Sequence, residues 1–301
     1  MKIAFVGLGI MGAPMAGHLI NAGHEVWLSD IKPIPSSLVE AGGKRASSAK
    51  AAAEQADLAI TMVPDTPHVE SALFGELGVA QGLSKGKTVV DMSSISPLAT
   101  KEFARRINQL GCDYLDAPVS GGEVGAKAAS LTIMVGGTAA AFEKVKPILQ
   151  LMGKNITLVG GVGDGQTCKV ANQMIVGITI EAVAEALLFA SKAGADPARV
   201  REALMGGFAN SRVLEYHGER MVKRNFDPGF RIELHLKDLS LALTGARTLQ
   251  MSLPMTAVCQ QMMNAAAARG GGSWDHSGLV RALELMANHE LGAKSGAEEL
   301  G

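Results

Sequence analysis

The sequence predicts an α/β fold: an N-terminal Rossmann-type doubly wound sheet, followed by an all-α C-terminal domain entered through one long helix. Three observations carry this. Short β-branched runs alternate with amphipathic stretches over the first half, the pattern of βα units in a mostly parallel sheet. A glycine-rich turn, Gly7-Leu8-Gly9-Ile10-Met11-Gly12, joins the first run to the first amphipathic stretch. After Gly163 the alternation stops, and a proline-free stretch dominated by Ala, Val, Ile and Leu begins.

In chain order, strands are expected at Lys2–Val6, Glu25–Ser29, Leu58–Val63, Thr88–Met92, Tyr114–Ala117, Leu131–Val135 and Ile156–Val159, each bounded by turn residues or a helix. Helices are expected at Met11–Asn21, Pro97–Leu110 and near Ala139–Leu151. The first two stop at Gly23 and Gly111, the residue type favoured just past a helix end. The long helix should run from Gly165 to Ala193, roughly 43 Å at about 1.5 Å per residue. Asp196-Pro197 then caps and starts the next. Further helices are expected at Ala198–Met205, Val213–Lys223, Leu236–Leu249, Pro254–Ala268 and Ser277–Leu291, and the residues beyond are expected to fray. The length of 301 residues suits two domains, divided here as 1–162 for the dinucleotide and 163–301 for substrate and oligomerisation.

Composition narrows the function. With 28 Lys+Arg against 29 Asp+Glu, the chain lacks the basic excess of a nucleic-acid partner. Three widely spaced cysteines form no CxxC or Cys/His cluster, so no metal site is expected. The apolar stretch at the N-terminus is shorter than a secretory signal and leads straight into the glycine turn. The eleven residues between Lys169 and Glu181 include Asn172 and Gln173, too few and too polar to span a bilayer. These features predict a cytoplasmic protein with reduced thiols and no membrane partner.

Gly7–Gly12 is a GxGxxG turn between a strand and a helix. Gly7 permits the tight turn, Gly9 lets a pyrophosphate approach the backbone, and Gly12 allows close helix–strand packing. Leu8, Ile10 and Met11 complete the turn, and free N–H groups at the helix start suit phosphate. Asp30 closes the second strand 18 residues after Gly12, near the spacing of the acid that binds the adenosine ribose. It favours NAD, while Lys32 nearby keeps NADP open. Asp116-Ala117-Pro118-Val119-Ser120-Gly121-Gly122 follows a strand. Ser120, Gly121 and Gly122 offer a hydroxyl and N–H groups for an anion at the carboxyl edge of the sheet, and an ordinary turn is an equal reading. Lys169, Asn172 and Gln173 share one face near the start of the long helix. Lys169 is either a partly desolvated proton donor or a surface lysine at the mouth of a buried helix. Lys237, in a helix expected to start near His235, either reaches a cofactor or lies on a solvated face. The histidines His18, His24, His68, His217, His276 and His289 show no partner pattern and read as structural or surface residues.

Together, Phe5–Met15 (FVGLGIMGAPM), Asp116–Gly122 (DAPVSGG), Gly163–Gln173 (GDGQTCKVANQ) and Lys237–Leu239 (KDL) resemble the β-hydroxyacid dehydrogenase family from Lys2 to about Leu291. Asp91–Ile95, Asp227–Arg231 and Asp275–Ser277 are similar to one branch of it. The resemblance implies hydride transfer between a nicotinamide cofactor and a small carboxylate-bearing semialdehyde. It makes Lys169 the catalytic lysine and Asn172 the amide that positions substrate. Ser120, Gly121 and Gly122 become the carboxylate site. Met62, Val63, Pro64, Ser94 and Lys237 become contacts to the nicotinamide half. In the family the active site lies between the domains and the all-α domain contributes to oligomers, so a homodimer or homotetramer is expected. A 3-hydroxyisobutyrate-type dehydrogenase would use the same machinery. A non-catalytic dinucleotide sensor would not need Lys169, Asn172 and the Ser120 loop together.

Overall fold

Alternate side chains of the first strand, β1 (Lys2–Val6), enter two different cores. Ile3 and Phe5 pack with Met15 and Leu19 of helix Gly12–Asn21, while Ala4 and Val6 pack with Ala52, Val69 and Phe103. A strand alternates its faces with period two, so a strand apolar throughout is buried on both. The computed structural model describes residues 1–293. The chain divides into two units, Met1–Lys169 and Val170–Gly301.

In the first unit, β1 lies between β2 (Glu25–Ser29) and β4 (Leu58–Thr61), all parallel. The order β3-β2-β1-β4-β5-β6 continues outward through β3 (Lys44–Arg45), β5 (Thr88–Asp91) and β6 (Asp113–Asp116), again parallel. The sheet then reverses. The strand β8 (Leu131–Gly136) runs antiparallel to β6 and to the two-residue β7 (Val119–Ser120), and parallel to β9 (Gly153–Gly160). The predicted doubly wound sheet is thus present with an antiparallel step near one edge. The expected strand at Ile156–Val159 begins three residues earlier, because Gly153 already pairs with Leu131. Helices Ala49–Gln55, Pro97–Gln109 and Ala139–Leu149 are capped by Ser48, Ser96 and Thr138, whose hydroxyls accept from backbone N–H groups at 3.0, 3.4 and 3.2 Å. Helix Thr66–Phe74, not predicted, has the cap Asp65 and an early proline, Pro67.

The long helix is Asp164–Lys192, 29 residues, one position upstream of the expected bounds. By length and composition alone it could cross a bilayer, a test that the core helix of a folded domain also passes. In the second unit its Ile180, Val183, Ala184 and Leu187 pack with Met221, Leu239, Cys259, Met263 and Leu283. Each buried Val, Leu, Ile or Met among them contributes about 1.5–3 kcal/mol. The remaining elements of this unit are helical among the described residues. Pro197–Met205 is capped by Asp196, which accepts from Ala198 N–H at 2.9 Å, and Pro254–Ala268 has the predicted bounds. Three expectations are corrected. The helix expected at Leu236 begins at Ile232, where the Ile232 N–H bonds to the Trp274 carbonyl at 2.9 Å. The segment expected as helix Val213–Lys223 opens with a π-helical turn, Leu214–Gly218. The last helix ends at Ala287, because Asn288 turns left-handed at φ 45°. Past it, Leu291 and Gly292 N–H groups bond Glu284 and Ser191 at 2.8 and 2.9 Å. Most of the stretch expected to fray lies outside the described residues.

Candidate active site

The glycine turn is set by sterics. Gly7 sits at φ 95°, and a Cβ there would lie 2.3 Å from the Met62 carbonyl oxygen. A Cβ on Gly12 would lie 2.0 Å from the Gly7 oxygen, whereas one on Gly9 would meet nothing within 4 Å. The backbone is therefore packed from below at Gly7 and Gly12 and open at Gly9. Leu8 is buried, Ile10 is exposed, and Met11 leads into a helix whose N-terminus takes no side-chain cap. Its first N–H groups and the helix dipole face outward for an anion. Asp30, just past β2, accepts from Leu8 N–H at 2.5 Å and from Lys32 N–H at 2.7 Å, which brings the predicted ribose acid against the turn.

The other predicted residues of this unit sit at the carboxyl ends of strands. Met62, Val63 and Pro64 follow β4, Ser94 follows β5, and Ser120 ends β7. The first two loops are tied together, since Val63 N–H donates to Ser93 Oγ at 3.0 Å. Beneath them, buried Asp91 accepts from Thr61 Oγ1 at 2.8 Å and Ser93 N–H at 3.1 Å. Burial raises the Asp91 carboxyl to about 6 against the pull of those hydrogen bonds, and the Asp116 charge adds to the rise. Asp116 in turn accepts from Gly163 N–H at 2.7 Å and Gln166 N–H at 2.8 Å, anchoring the start of the long helix. Burial raises Asp116 as well, opposed by those two N–H groups. Gln166 is fully buried. Its amide donates to the Ser93 carbonyl at 2.7 Å and accepts from Ile95 N–H at 3.0 Å, clasping the loop that carries Ser94. One turn further, Lys169 is buried at 7% exposure. Gly121 and Gly122 adopt φ 125° and 58° at the head of a short helix, Gly122–Lys127, a left-handed geometry that suits glycine.

In the second unit a chain of polar side chains joins two predicted residues. Asn172 donates to Gln173 Oε1 at 2.8 Å, Gln173 donates to Asp238 Oδ2 at 2.6 Å, and Lys237 pairs with Asp238 Oδ1 at 3.0 Å. Gln173 and Asp238 are buried. The histidines expected to lack partners are corrected. His217 and His276 meet His235 in one row, with His276 Nδ1 2.8 Å from His235 Nδ1 and His276 Nε2 3.1 Å from His217 Nε2. Asp275 closes the row. Burial alone would raise its carboxyl, but His217, His276 and Ser277 hold it well below the usual carboxylate range.

Family models match both parts of the chain. Residues 2–161 match the NAD binding domain of 6-phosphogluconate dehydrogenase, and residues 163–283 match the NAD-binding region of NADP-dependent 3-hydroxyisobutyrate dehydrogenase. This chain belongs to the β-hydroxyacid dehydrogenase family. It is 62% identical to the 2-hydroxy-3-oxopropionate reductase of Escherichia coli K12, over 97% of this chain and all of the relative. It is 37% identical to the 2-(hydroxymethyl)glutarate dehydrogenase of Eubacterium barkeri, over 95% and 96% of the two chains. A solved structure of Mycobacterium tuberculosis 3-hydroxyisobutyrate dehydrogenase with L-serine superposes with a TM-score of 0.86 at 31% identity, covering 93% of this chain and 98% of that one.

As a β-hydroxyacid dehydrogenase the chain is an oxidoreductase that uses a nicotinamide cofactor, and the open Gly9 face and uncapped helix fit its pyrophosphate. Sequence reasoning missed the supports of the site. Asp91, Ser93 and Gln166 stand inside quoted motifs, but their partners are distant in sequence, and the motifs alone do not pair them. The buried amide of Gln166, two positions into the long helix, was the signal available, since a buried amide requires partners.

Proposed function

We propose that the chain reduces tartronate semialdehyde (2-hydroxy-3-oxopropionate) to glycerate. One observation carries the reading: 62% identity to a reductase of that name along 97% of the chain. The site residues support it. Gly7–Gly12 hold the pyrophosphate, and Asp30 bonds the ribose and favours NAD over NADP. Met62, Val63, Pro64, Ser94 and Lys237 bound the nicotinamide half. Ser120, Gly121 and Gly122 bind the substrate carboxylate, and Asn172 orients the aldehyde. When bound, the nicotinamide would supply the hydride for the aldehyde carbon. Lys169 stabilises the negative charge that develops on the carbonyl oxygen and donates the proton that completes the alcohol. In this reading residues 1–162 are the dinucleotide domain, 163–301 serve substrate and oligomerisation, and the protein is a cytoplasmic homo-oligomer acting on a small semialdehyde acid.

The testing experiment is steady-state oxidation of NADH and NADPH by purified protein against a panel of semialdehyde acids, with glyceraldehyde as the uncharged control. Tartronate semialdehyde should give the highest kcat/KM, and glyceraldehyde should react far more slowly because it leaves the anion donors of the Ser120 loop unpaired. Equal kcat/KM for the two compounds refutes carboxylate recognition. The similarity to a 3-hydroxyisobutyrate dehydrogenase supports a second reading, and faster turnover of 3-hydroxyisobutyrate with the oxidised cofactor would select it.

A further inference from the structure

The row His235-His276-His217 has a hydrogen-bond direction that follows from counting protons. His235 Nε2 lies 3.0 Å from the backbone carbonyl of Gln173. A carbonyl only accepts, so this nitrogen carries hydrogen. In a neutral imidazole the other nitrogen is then bare, so His235 Nδ1 accepts, and the proton in the 2.8 Å contact belongs to His276 Nδ1. By the same step His276 Nε2 is bare and accepts from His217 Nε2 across 3.1 Å. That leaves His217 Nδ1, which is buried, has no hydrogen-bond partner among the described residues, and lies 3.5 Å from Asp275 Oδ1. A bare lone pair there opposes a carboxylate, whereas a proton there would meet one.

The surroundings enforce this order. Asp275 is anchored by Gly229 and Phe230 N–H groups at 3.0 and 3.1 Å, by Ser277 Oγ at 2.6 Å, and by Arg220 Nε at 3.3 Å. The His217, Asp275 and His276 ligand atoms lie close enough together to suggest a metal ion, but the carboxylate is already engaged and a guanidinium stands beside it. His276 is faced by His235, His217, Asp275, Arg220 and the Phe230 ring, and His217 by Tyr216, His276, Asp275 and Arg220. Burial, followed by the charges of His235 and His217, holds His276 well below the ordinary imidazole range. The middle of the row therefore resists a second proton. Gly177 makes room for the inner end, since a Cβ there would come 3.0 Å from His235 Nε2.

We propose that His235, His276 and His217 form a one-way hydrogen-bond relay that holds the Gln173 carbonyl at its inner end and meets Asp275 at its outer end. Gln173 is the node on which Asn172 and Asp238 converge, and Asp238 holds Lys237. The three histidines are thus positioning residues for Asn172 and Lys237, a role that rests on the function proposed above. The relay itself does not rest on it.

Two measurements test the proposal, and the first involves no catalysis. Imidazole ¹⁵N chemical shifts of the full-length protein should report His235 as the Nε2–H tautomer and His276 as the Nδ1–H tautomer. The opposite tautomer at either ring overturns the relay whatever the enzyme's substrate. The second measurement compares His276→Asn with His276→Leu on whichever semialdehyde acid the wild type turns over. The asparagine amide can still donate toward His235, whereas leucine fills the space without donating. His276→Asn should retain kcat/KM within about threefold while His276→Leu loses roughly tenfold, the scale of one buried hydrogen bond. The reverse order would mean that His276 acts only by packing and overturns the positioning role. If the leucine variant fails to fold, the tautomers of the wild type still decide the relay.

Discussion

At Asp30 one carboxylate accepts from two backbone N–H groups, Leu8 on the glycine turn and Lys32 after β2. Under the proposed ribose role the same group shapes the turn and reads the cofactor. Asp30→Ala should therefore weaken NADH binding by roughly tenfold, the loss of a charge-assisted hydrogen bond, and NADPH binding by less. Fluorescence titration with both cofactors checks it, and a wild type that already prefers NADPH would contradict the ribose argument. Lys169 makes a different demand. It is buried at the head of the long helix, and as general acid its loss acts on chemistry. Lys169→Ala should lower kcat by roughly 10²-fold or more while NADH still binds, whereas near-normal turnover excludes the role. Both proposals were legible in the sequence because each comes from a short local motif. The histidine row was not, since its members stand 41 and 59 positions apart and each reads alone as an ordinary surface or core histidine.

Among the elements, the long helix carries an unresolved conflict at Glu181. The residue is 5% exposed, and neither carboxylate oxygen has a hydrogen-bond partner among the described residues. Burial, with the Glu185 charge adding, raises its carboxyl from 4.5 to about 7. The folded state then holds a proton that the unfolded state has released between those values. Glu181 thus costs stability as pH rises from 4.5 to about 7, by a rough ceiling of about 3 kcal/mol. Glu181→Gln removes that cost. Its Tm should exceed the wild type's at pH 8 by a few degrees, roughly, and the gap should close below pH 5. A gap that does not change with pH would show that the carboxyl is not the source. This helix was also the element most readable from sequence, because 29 residues rich in small and aliphatic side chains and free of proline admit few alternatives. Helices Ala49–Gln55 and Thr66–Phe74 were not predicted. They are short, and their apolar faces show only against the sheet, where Ala52, Ala53, Val69 and Leu73 are buried. The two-residue β7 was equally hidden, since pairing with β8 defines it rather than any pattern of its own.

For the molecule as a whole, each unit has its own core, and ligand binding adds to stability by mass action. NADH at a hundred times its Kd should stabilise the protein by about 2.7 kcal/mol, visible as a rise in Tm. Gly9→Val separates fold from binding, because a Cβ at Gly9 meets nothing within 4 Å while the side chain occupies the proposed pyrophosphate face. The variant should melt near the wild type without NADH and show no rise with it. A full ligand shift in Gly9→Val would move the pyrophosphate elsewhere. Gln166 has a consequence for anyone recombining the halves of such enzymes. The family models meet between residues 161 and 163, an inviting place to splice a foreign second half. Yet the partners of buried Ser93 and Ile95 lie 73 and 71 positions downstream, on Gln166. A chimera joined at 162 inherits these two backbone groups from one parent and their amide from the other. Unless both parents carry glutamine there, the hybrid loses the clasp on its Ser94 loop, so the seam for modular shuffling belongs beyond the first turn of the long helix.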